Sequence, residues 1–289
     1  MKVITFKSAS EPNRYRIGSL ISDDEVVDLT PLVSDGSLSA EEVNGCFDLD
    51  RGLLEKAATG VDSLQHLDLG AIDSCAPVPR PGKVICIGLN YRDHAEESGM
   101  QIPLSPIIFS KFPSCVIGPS EDILIPEGSS QVDYEAELAA VIGRRARGVT
   151  AADAMHYVFG YTNFNDVSAR DFQFADGQWQ RGKSCDAFAP MGPFVATTDE
   201  VPDPHGLKIR FRLNGDTLQD SSTSQLIFNI PELIEFLSRS IMLEPGDIIA
   251  TGTPPGVGFA RKPPIFMKDG DIAEVEVLGL GTLSNRVRS

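Results

Sequence analysis

Two glutamates stand close together in a stretch that otherwise has the pattern of a buried strand. In "VDYEAELAAV", residues 132–141, Glu135 and Glu137 are two positions apart among tyrosine, alanine and leucine. Side chains two apart on a strand point to the same face, so both carboxylates share one side of an apolar element. Either that face is wet, as one face of an antiparallel sheet often is, or the pair has a function.

A third carboxylate favours a function. Asp166 follows the aromatic and apolar residues of "GYTNFND", at the end of a predicted strand. Three converging carboxylates would repel one another and raise one another's pKa, and a hard divalent cation removes that repulsion. Mg²⁺ prefers oxygen ligands and keeps water molecules that a substrate can displace. Glu135, Glu137 and Asp166 are therefore a candidate metal site.

The segment "LNYRDHAEESG", residues 89–99, contains a candidate general base. His94 and Glu97 are three apart, so one helical turn would set them side by side. A neighbouring carboxylate orients an imidazole and raises its basicity. The alternative is a solvated, highly charged helix, which the pattern alone favours. Gly88 and Gly99 flank the segment and indicate that it could move as a lid.

The sequence offers two cationic side chains and one glycine-rich stretch as further candidate binding groups. Lys183 in "GKSCDAFAPMGP" and Arg170, four residues after the candidate aspartate, are able to bind a substrate carboxylate or stabilise an enolate. Most such side chains are ordinary surface cations. "ATGTPPGVG", residues 250–258, offers backbone N–H groups and the hydroxyls of Thr251 and Thr253 to an anion. It is not a phosphate loop, because no Gly-Lys-Ser/Thr follows.

The elements that must position these residues are mostly short strands separated by glycine and proline. Asn214-Gly215 predicts the turn of a hairpin. Pro231 opens an amphipathic helix, and Ser39 with Glu42 resembles a helix capping box. Many short strands with few helices favour a mixed, β-rich (α+β) fold that closes on itself.

A proline-rich stretch divides the chain. Residues 1–75 combine short strands with a helical pattern, and Pro77, Pro79 and Pro81 then force extended backbone of the kind found in linkers. We predict a small N-terminal α/β domain over residues 1–75 and a catalytic domain over residues 76–289.

Composition excludes several classes of partner. The chain has 289 residues and a net charge of −16, which argues against nucleic acid, because phosphate backbones need a basic face. No apolar run reaches the ~18 residues of a membrane span. The five cysteines are odd in number and form no CxxC pair, which predicts free thiols in a reducing compartment. A cytoplasmic protein with a small-molecule substrate is the resulting expectation.

Five motifs from about Lys83 to the C-terminus together resemble the fumarylacetoacetate hydrolase superfamily. They occur in the order "NYRDHAEE", "DYEAELAAVIG", "NDVSARDFQ", "GKSCDAFAPMGP" and "TGTPPGVGF". Further details, including "SKFPSCVIGPSEDILIP", are similar to the branch of the fumarylacetoacetate hydrolase domain-containing protein 2 type. The resemblance implies a mixed β-sandwich roll as the catalytic domain, usually in a homodimer.

The resemblance also implies roles for individual residues and a cofactor. It assigns Glu135, Glu137 and Asp166 to the metal, His94 and Glu97 to a water-activating dyad on a lid, Lys183 to catalysis and substrate contact, and Arg170, Gln173, Lys111, Thr253 and the Gly252 backbone to substrate binding. The implied metal is Mg²⁺ or Mn²⁺, with Ca²⁺ as an alternative. The implied substrate is a small 2-oxo acid.

The first functional prediction is a metal-dependent hydrolase that cleaves C–C bonds of acylpyruvate-like 2,4-dioxo acids and releases pyruvate. A metal that polarises the 2-carbonyl stabilises an enolate, and the same enolate arises in oxaloacetate decarboxylation or tautomerisation. Dehydration or isomerisation of 2-oxo-3-deoxy acids is a further alternative. A non-catalytic oxo-acid-binding protein is the alternative from another class. Glu97 beside His94 argues against the last, because binding alone needs no base.

Overall fold

The computed structural model describes residues 1–8, 11–60, 63–175 and 177–289. Strands predominate over helices in these ranges, and several mixed sheets are present, which confirms the predicted β-rich fold class. No helix in the same ranges is long and apolar enough to cross a membrane.

The described residues contain nineteen strands and six α-helices. The first nine strands are β1 (Lys2–Lys7), β2 (Arg16–Leu20), β3 (Glu25–Asp28), β4 (His66–Asp68), β5 (Asp73–Cys75), β6 (Val84–Gly88), β7 (Ile107–Lys111), β8 (Val116–Ile117) and β9 (Ile123–Leu124). The others are β10 (Val132–Asp133), β11 (Ala136–Ile142), β12 (Val158–Asn165), β13 (Ser168–Ala169), β14 (Ala189–Thr197), β15 (Lys208–Leu213), β16 (Asp216–Ser222), β17 (Ile248–Ala250), β18 (Ile272–Val277) and β19 (Thr282–Arg288). The helices are α1 (Ala40–Cys46), α2 (Leu53–Gly60), α3 (Arg92–Ser98), α4 (Arg170–Ala175), α5 (Trp179–Lys183) and α6 (Ile230–Ser238).

The strands form three sheets. The largest has twelve strands in the order β4-β3-β2-β1-β14-β12-β11-β17-β6-β7, with β5 beside β1 and β8 beside β14. A five-stranded sheet has the order β16-β15-β18-β19-β9, and β10 pairs with β13. Because β1 pairs with β14, the strands of residues 1–75 continue the sheet of the later chain. The predicted domain boundary near residue 75 stays a prediction.

The centre of the large sheet is covered on both faces. All residues of β11 and β12 are buried, and because side chains alternate between the two faces of a strand, both faces must be covered. The five-stranded sheet packs over this centre through β15 and β18. The ring of Tyr134 stacks on Phe211 at the contact, with 4.0 Å between centroids.

Strand directions bring the candidate residues to one edge of the sheet. Both β12 and β17 run antiparallel to β11, and β6 runs parallel to β17. The start of β11 therefore lies beside the ends of β12, β17 and β6. Residues 135–137, Asp166, 251–253 and the segment that leads to α3 consequently meet at this edge.

Local sequence signals agree with the elements that form. Ser39 and Glu42 make the reciprocal hydrogen bonds of a capping box at the start of α1. Asn214 and Gly215 both have positive φ at the turn between β15 and β16. Pro231 occupies the first turn of α6. These three predictions are confirmed.

Asn163 is a buried amide that joins β12 to the second sheet. Its Nδ2 donates to the carbonyls of Gly192 and Leu280, at 3.0 and 2.9 Å, and its Oδ1 accepts from the Val277 N–H at 2.7 Å. We expect Asn163→Ala to lower the free energy of unfolding by about 3 kcal/mol, because these groups would remain buried without partners. Urea unfolding measures the change. The control Gln65→Ala, at an exposed amide, should stay within about 0.5 kcal/mol of the parent, and an equally small effect at Asn163 would contradict the prediction.

Candidate active site

Three carboxylates meet where β11 begins and β12 ends. One oxygen from each of Glu135, Glu137 and Asp166 lies within 4.8 Å of the others, and all three residues are buried. The Asp166 N–H donates to the Glu135 carbonyl at 2.9 Å, and the Glu135 N–H donates to Asn165 Oδ1 at 3.0 Å. These bonds fix the two chain segments relative to each other. The predicted convergence is present, and the role as metal ligands stays a prediction.

The environment of Glu137 fits a cation. Burial raises the pKa of Glu137 well above its ordinary value, and the charges of Asp166 and Glu135 raise it further. The Gly252 N–H donates to Glu137 Oε2 at 2.8 Å, and this hydrogen bond offsets only part of the increase in pKa. The Glu137 carboxylate thus has too little positive charge around it, and a divalent cation among the three carboxylates would supply that charge. Donors that are all carboxylate oxygens suit Mg²⁺ or Mn²⁺.

Two buried lysines border the cluster. Lys183 Nζ lies 2.9 Å from Glu135 Oε2 and 2.7 Å from Asp166 Oδ2. Lys111 Nζ lies 2.6 Å from Asp166 Oδ1. Burial alone would lower the pKa of Lys183, but Asp166 and Glu135 raise it above its ordinary value. The two carboxylates therefore favour the protonated, positively charged form of Lys183.

A glycine explains how Lys183 reaches the cluster. Helix α5 packs closely on α4. A Cβ atom at Gly182 would lie 2.6 Å from the backbone nitrogen of Gln173 and 2.7 Å from the carbonyl oxygen of Ala169. A larger residue would push the two helices apart. The absence of a side chain at residue 182 therefore lets the next residue extend into the buried site.

Arg170 is held by acidic and amide partners at the other side of Glu135. Its Nε donates to Asp133 Oδ2 at 2.8 Å, one terminal nitrogen donates to Gln173 Oε1 at 2.9 Å, and the other donates to Glu135 Oε1. Burial alone would raise the pKa of Glu135, but Lys183 and Arg170 lower it to about 2. Glu135 is therefore ionised at neutral pH, and Arg170 both lines the cavity and orients this carboxylate.

Asp133 is a functional candidate that the sequence patterns missed. It is fully buried and accepts the Gly258 N–H at 2.7 Å and the Phe259 N–H at 3.1 Å, besides the Arg170 bond. The Phe259 ring in turn lies 4.5 Å from the Arg170 guanidinium. Asp133 precedes Glu135 by two positions, so the alternation that selected the two glutamates could have selected it too.

His94 and Glu97 lie together on α3, as their spacing predicted. His94 Nδ1 is 3.5 Å from Glu97 Oε2, and the Gly256 N–H donates to the same carboxylate oxygen at 3.1 Å. Gly99, with a φ of 64°, ends the helix. The Ser221 hydroxyl donates to Asp93 and ties the first turn of α3 to β16. The helix that carries the imidazole is thus held in place by β16 and by the loop after β17.

The loop after β17 contacts the cluster and a buried glutamine. The Gly252 N–H donates to Glu137 and is therefore already engaged in a hydrogen bond. Its contact with a substrate carboxylate stays a prediction. Thr253 Oγ1 accepts a hydrogen bond of 2.8 Å from Gln219 Nε2, and Gln219 Oε1 accepts the Ala136 N–H at 2.9 Å. Gln219 was missed at the sequence level, since its partners lie far away along the chain.

Asn90 anchors the segment that carries the histidine. Its side-chain amide donates to the carbonyls of Thr251 and Phe228, at 2.8 and 3.0 Å, and accepts the Phe228 N–H at 2.8 Å. The next residue, Tyr91, pairs with Leu226. These contacts tie the root of α3 to the loop after β17.

A cavity of about 440 Å³ adjoins the cluster. The predicted site residues in its wall are His94, Glu135, Arg170, Gln173, Lys183 and Thr253. Three of the remaining predicted residues contact members of that wall: Glu97 contacts His94, Asp166 contacts Lys183, and Glu137 lies beside Glu135. Lys111 contacts Asp166, and Gly252 contacts Glu137. The structure thus brings the predicted residues to one site.

Comparisons with known proteins show which family this chain resembles. The family model described as "Fumarylacetoacetate (FAA) hydrolase C-terminal" matches residues 83–288. A Xenopus laevis protein named "Oxaloacetate tautomerase fahd2, mitochondrial" is 44% identical over 99% of this chain and 90% of its own length. The human "Oxaloacetate tautomerase FAHD2A, mitochondrial" is 48% identical over 73% of this chain and 68% of its own length.

Solved structures extend the similarity over the whole chain. Fumarylacetoacetate hydrolase from Exiguobacterium antarcticum has a TM-score of 0.84 and 36% identity, covering 100% of this chain and 99% of its own. Maleylpyruvate hydrolase from Sphingobium sp. SYK-6, described in complex with manganese(II) ion and pyruvate, has a TM-score of 0.83 and 30% identity, with the same coverage. On this evidence, the chain belongs to the fumarylacetoacetate hydrolase family, in the branch of the domain-containing protein 2 type.

Proposed function

We propose that this protein is a divalent-cation-dependent tautomerase that interconverts the keto and enol forms of oxaloacetate. The observation that carries the proposal is the buried cluster of Glu135, Glu137 and Asp166, with the Lys183 ammonium beside it and His94 in the wall of the adjoining cavity. Relatives that are 44% to 51% identical bear the name oxaloacetate tautomerase. They support tautomerisation over the C–C hydrolysis that the sequence patterns put first.

The three carboxylates would hold Mg²⁺ or Mn²⁺. The manganese(II) ion in the Sphingobium maleylpyruvate hydrolase supports this choice of metal. When bound, the ion supplies Lewis-acid polarisation of the 2-oxo group.

Lys183 stabilises the charge that develops during enolisation. As C3 of the substrate loses a proton, negative charge moves to the oxygen on C2. The ammonium group lies in the cavity wall, held between Glu135 and Asp166, and its raised pKa keeps it positive. A fixed positive charge in a site shielded from water stabilises such an oxyanion strongly.

His94 moves the proton. A neutral imidazole takes the proton from C3, and the C–H electron pair forms the C2–C3 double bond. The imidazolium then returns the proton to the C2 oxygen, which gives the enol and restores the neutral base. Glu97, whose Oε2 lies 3.5 Å from His94 Nδ1, stabilises the imidazolium that forms on the way. The reverse sequence returns the keto acid, so the same residues serve both directions.

Hydrolysis of acylpyruvate-like 2,4-dioxo acids is the second candidate. The overall similarity to maleylpyruvate hydrolase supports it. The His94–Glu97 pair is equally suited to deprotonate a water molecule that attacks a C4 carbonyl. Decarboxylation of oxaloacetate would need the same enolate but no base. The reactions therefore differ in their need for His94 and in whether pyruvate is formed.

Assembly and location form part of the proposal. We propose a homodimer, as the family resemblance implied. The edge strand β7 exposes Ile107 and Ile108, and Phe112 follows it, which supports an apolar contact with a second subunit. The names of the frog and human relatives place those proteins in mitochondria, whereas the sequence indicated a cytoplasmic location, which stays a prediction for this chain.

One assay separates the candidate functions. Enol-oxaloacetate is added to the protein with Mg²⁺, the loss of the enol absorbance is followed, and pyruvate is measured in the same samples. Tautomerisation predicts loss of enol faster than in buffer, sensitive to EDTA, without pyruvate. Pyruvate from acetylpyruvate would establish hydrolysis, and pyruvate from oxaloacetate would establish decarboxylation. Failure to turn over any of these acids would contradict the proposed enzyme.

Glu137→Gln tests the metal site. We expect the variant to bind Mg²⁺ at least about tenfold more weakly in calorimetry, because an anionic ligand is lost. Without metal it should unfold at a higher temperature than the parent, since a buried carboxylate with a raised pKa is removed. Glu96→Gln, at an exposed glutamate on α3, is the matched control and should change neither quantity. Unchanged metal affinity would remove Glu137 from the ligand set.

His94→Gln tests proton transfer. We expect kcat for enol loss to fall by about 10²- to 10⁴-fold, the usual contribution of a general base, with Mg²⁺ affinity unchanged. His156→Gln, at an exposed histidine, should retain full activity. If His94→Gln keeps most of its activity, another group transfers the proton.

A further inference from the structure

The cavity beside the carboxylate cluster has two chemically different parts. One part carries the charged groups of Glu135, Arg170 and Lys183. The rest of the wall is mainly apolar and includes Phe109 and Trp179. The volume of about 440 Å³ lies in the range of sites that enclose drug-sized ligands. A four-carbon acid held at the charged part therefore leaves much of the apolar part unfilled.

Phe109 and Trp179 form an ordered aromatic wall. Their ring centroids are 5.4 Å apart at an interplanar angle of 73°, an edge-to-face arrangement. A Cβ atom at Gly88 would lie 3.0 Å from the indole ring, so the glycine leaves the space that this ring occupies. Lys183 Nζ lies 4.9 Å from the Phe109 ring centroid, which places the aromatic wall directly beside the charged part.

Positive charge in the cavity wall is already paired. Among the described residues of the wall, arginine and lysine occur as Arg170 and Lys183. Arg170 is bonded to Asp133 and Glu135, and Lys183 to Glu135 and Asp166. In a substrate longer than the four carbons of oxaloacetate, a carboxylate at the far end would face Phe109 and Trp179 without a cation of its own, and an unpaired charge in apolar surroundings is unfavourable.

We propose that the apolar part of the cavity binds an apolar, preferably aromatic, group on C3 of a 2-oxo acid, so that arylpyruvates are substrates of this site. The inference rests on the proposed function, because the oxo-acid end must lie at the carboxylate cluster. An aryl group on C3 then reaches the Phe109–Trp179 wall, where edge-to-face ring contacts replace water. The C3 proton remains available for the same enolisation.

Calorimetry with pyruvate, oxaloacetate and phenylpyruvate in the presence of Mg²⁺ tests the proposal. We expect phenylpyruvate to bind about tenfold or more tightly than pyruvate, since filling an apolar pocket gives selectivities of that order. Trp179 is the single tryptophan of the chain, so its fluorescence reports on this wall. Titration with 4-methyl-2-oxopentanoate, which has no ring absorbance, should therefore shift the emission more than pyruvate does.

Phe109 and an exposed leucine supply a wall variant and its control. Phe109→Ala should reduce phenylpyruvate affinity about tenfold and leave pyruvate affinity nearly unchanged. Leu278 is more than half exposed and lies outside this cavity wall, so Leu278→Ala should change neither affinity. Trp179→Ala is the second wall variant and should repeat the selective loss, which guards against a local disturbance at Phe109.

The outcomes distinguish this inference from the proposed function. Equal affinities for pyruvate and phenylpyruvate would overturn the inference alone, since the charged part would still bind the oxo acid. Equal losses of both ligands in Phe109→Ala and Trp179→Ala would also overturn it. Failure of every 2-oxo acid to bind would overturn the inference together with the proposed function. If the protein converts enol-phenylpyruvate to the keto form faster than buffer alone does, the inference that arylpyruvates are substrates is supported.

Discussion

The balance of buried charge is the constraint on which the rest of this structure depends. Four carboxylates and three cations are packed at one edge of the central sheet: Asp133, Glu135, Glu137, Asp166, Lys111, Arg170 and Lys183. Each charge would be costly there without a partner, and the ion pairs leave one negative charge in excess. A divalent cation changes the excess to one positive charge, which suits a bound carboxylate. The ion pairs also hold the cluster in shape, so Lys183 and Arg170 contribute to folding as well as to the proposed chemistry.

The sheet makes this concentration of charge feasible because its central strands are paired on both sides and buried. The start of β11 lies between the ends of β12 and β17, and all three strands are buried. Side chains on such rigid elements keep their positions better than side chains on loops. The proposed base is instead carried by α3, a short helix that is joined to the rest of the site by side-chain hydrogen bonds. The proposed metal ligands and the proposed base thus lie on different kinds of element.

Much of the site could be predicted from local patterns, because the two residues of each selected pair are only two or three positions apart in the sequence. Alternation selected Glu135 and Glu137, and helical spacing selected His94 with Glu97. Asn90 and Gln219 were missed, since their partners lie far along the chain and a pattern shows which face a residue occupies but not what it meets. Asp133 was also missed, although it lies two positions before Glu135 and the same alternation includes it. The sheet order was equally hidden, because the pairing of Lys2 with Ala196 has no local signature. The residues give no basis for ranking hydrolysis against tautomerisation, because the same side chains serve both reactions.

The side chain of Asn90 has a mechanical consequence for the segment that follows it. Its three hydrogen bonds clamp the chain to the backbone on either side, and Tyr91 is fixed by the next pairing. A hinge for α3 can therefore begin only after Tyr91. A rotation of the helix about that point involves only a few residues. It moves the His94 imidazole away from a bound ligand, whereas the carboxylates of Glu135, Glu137 and Asp166 keep their distances from one another.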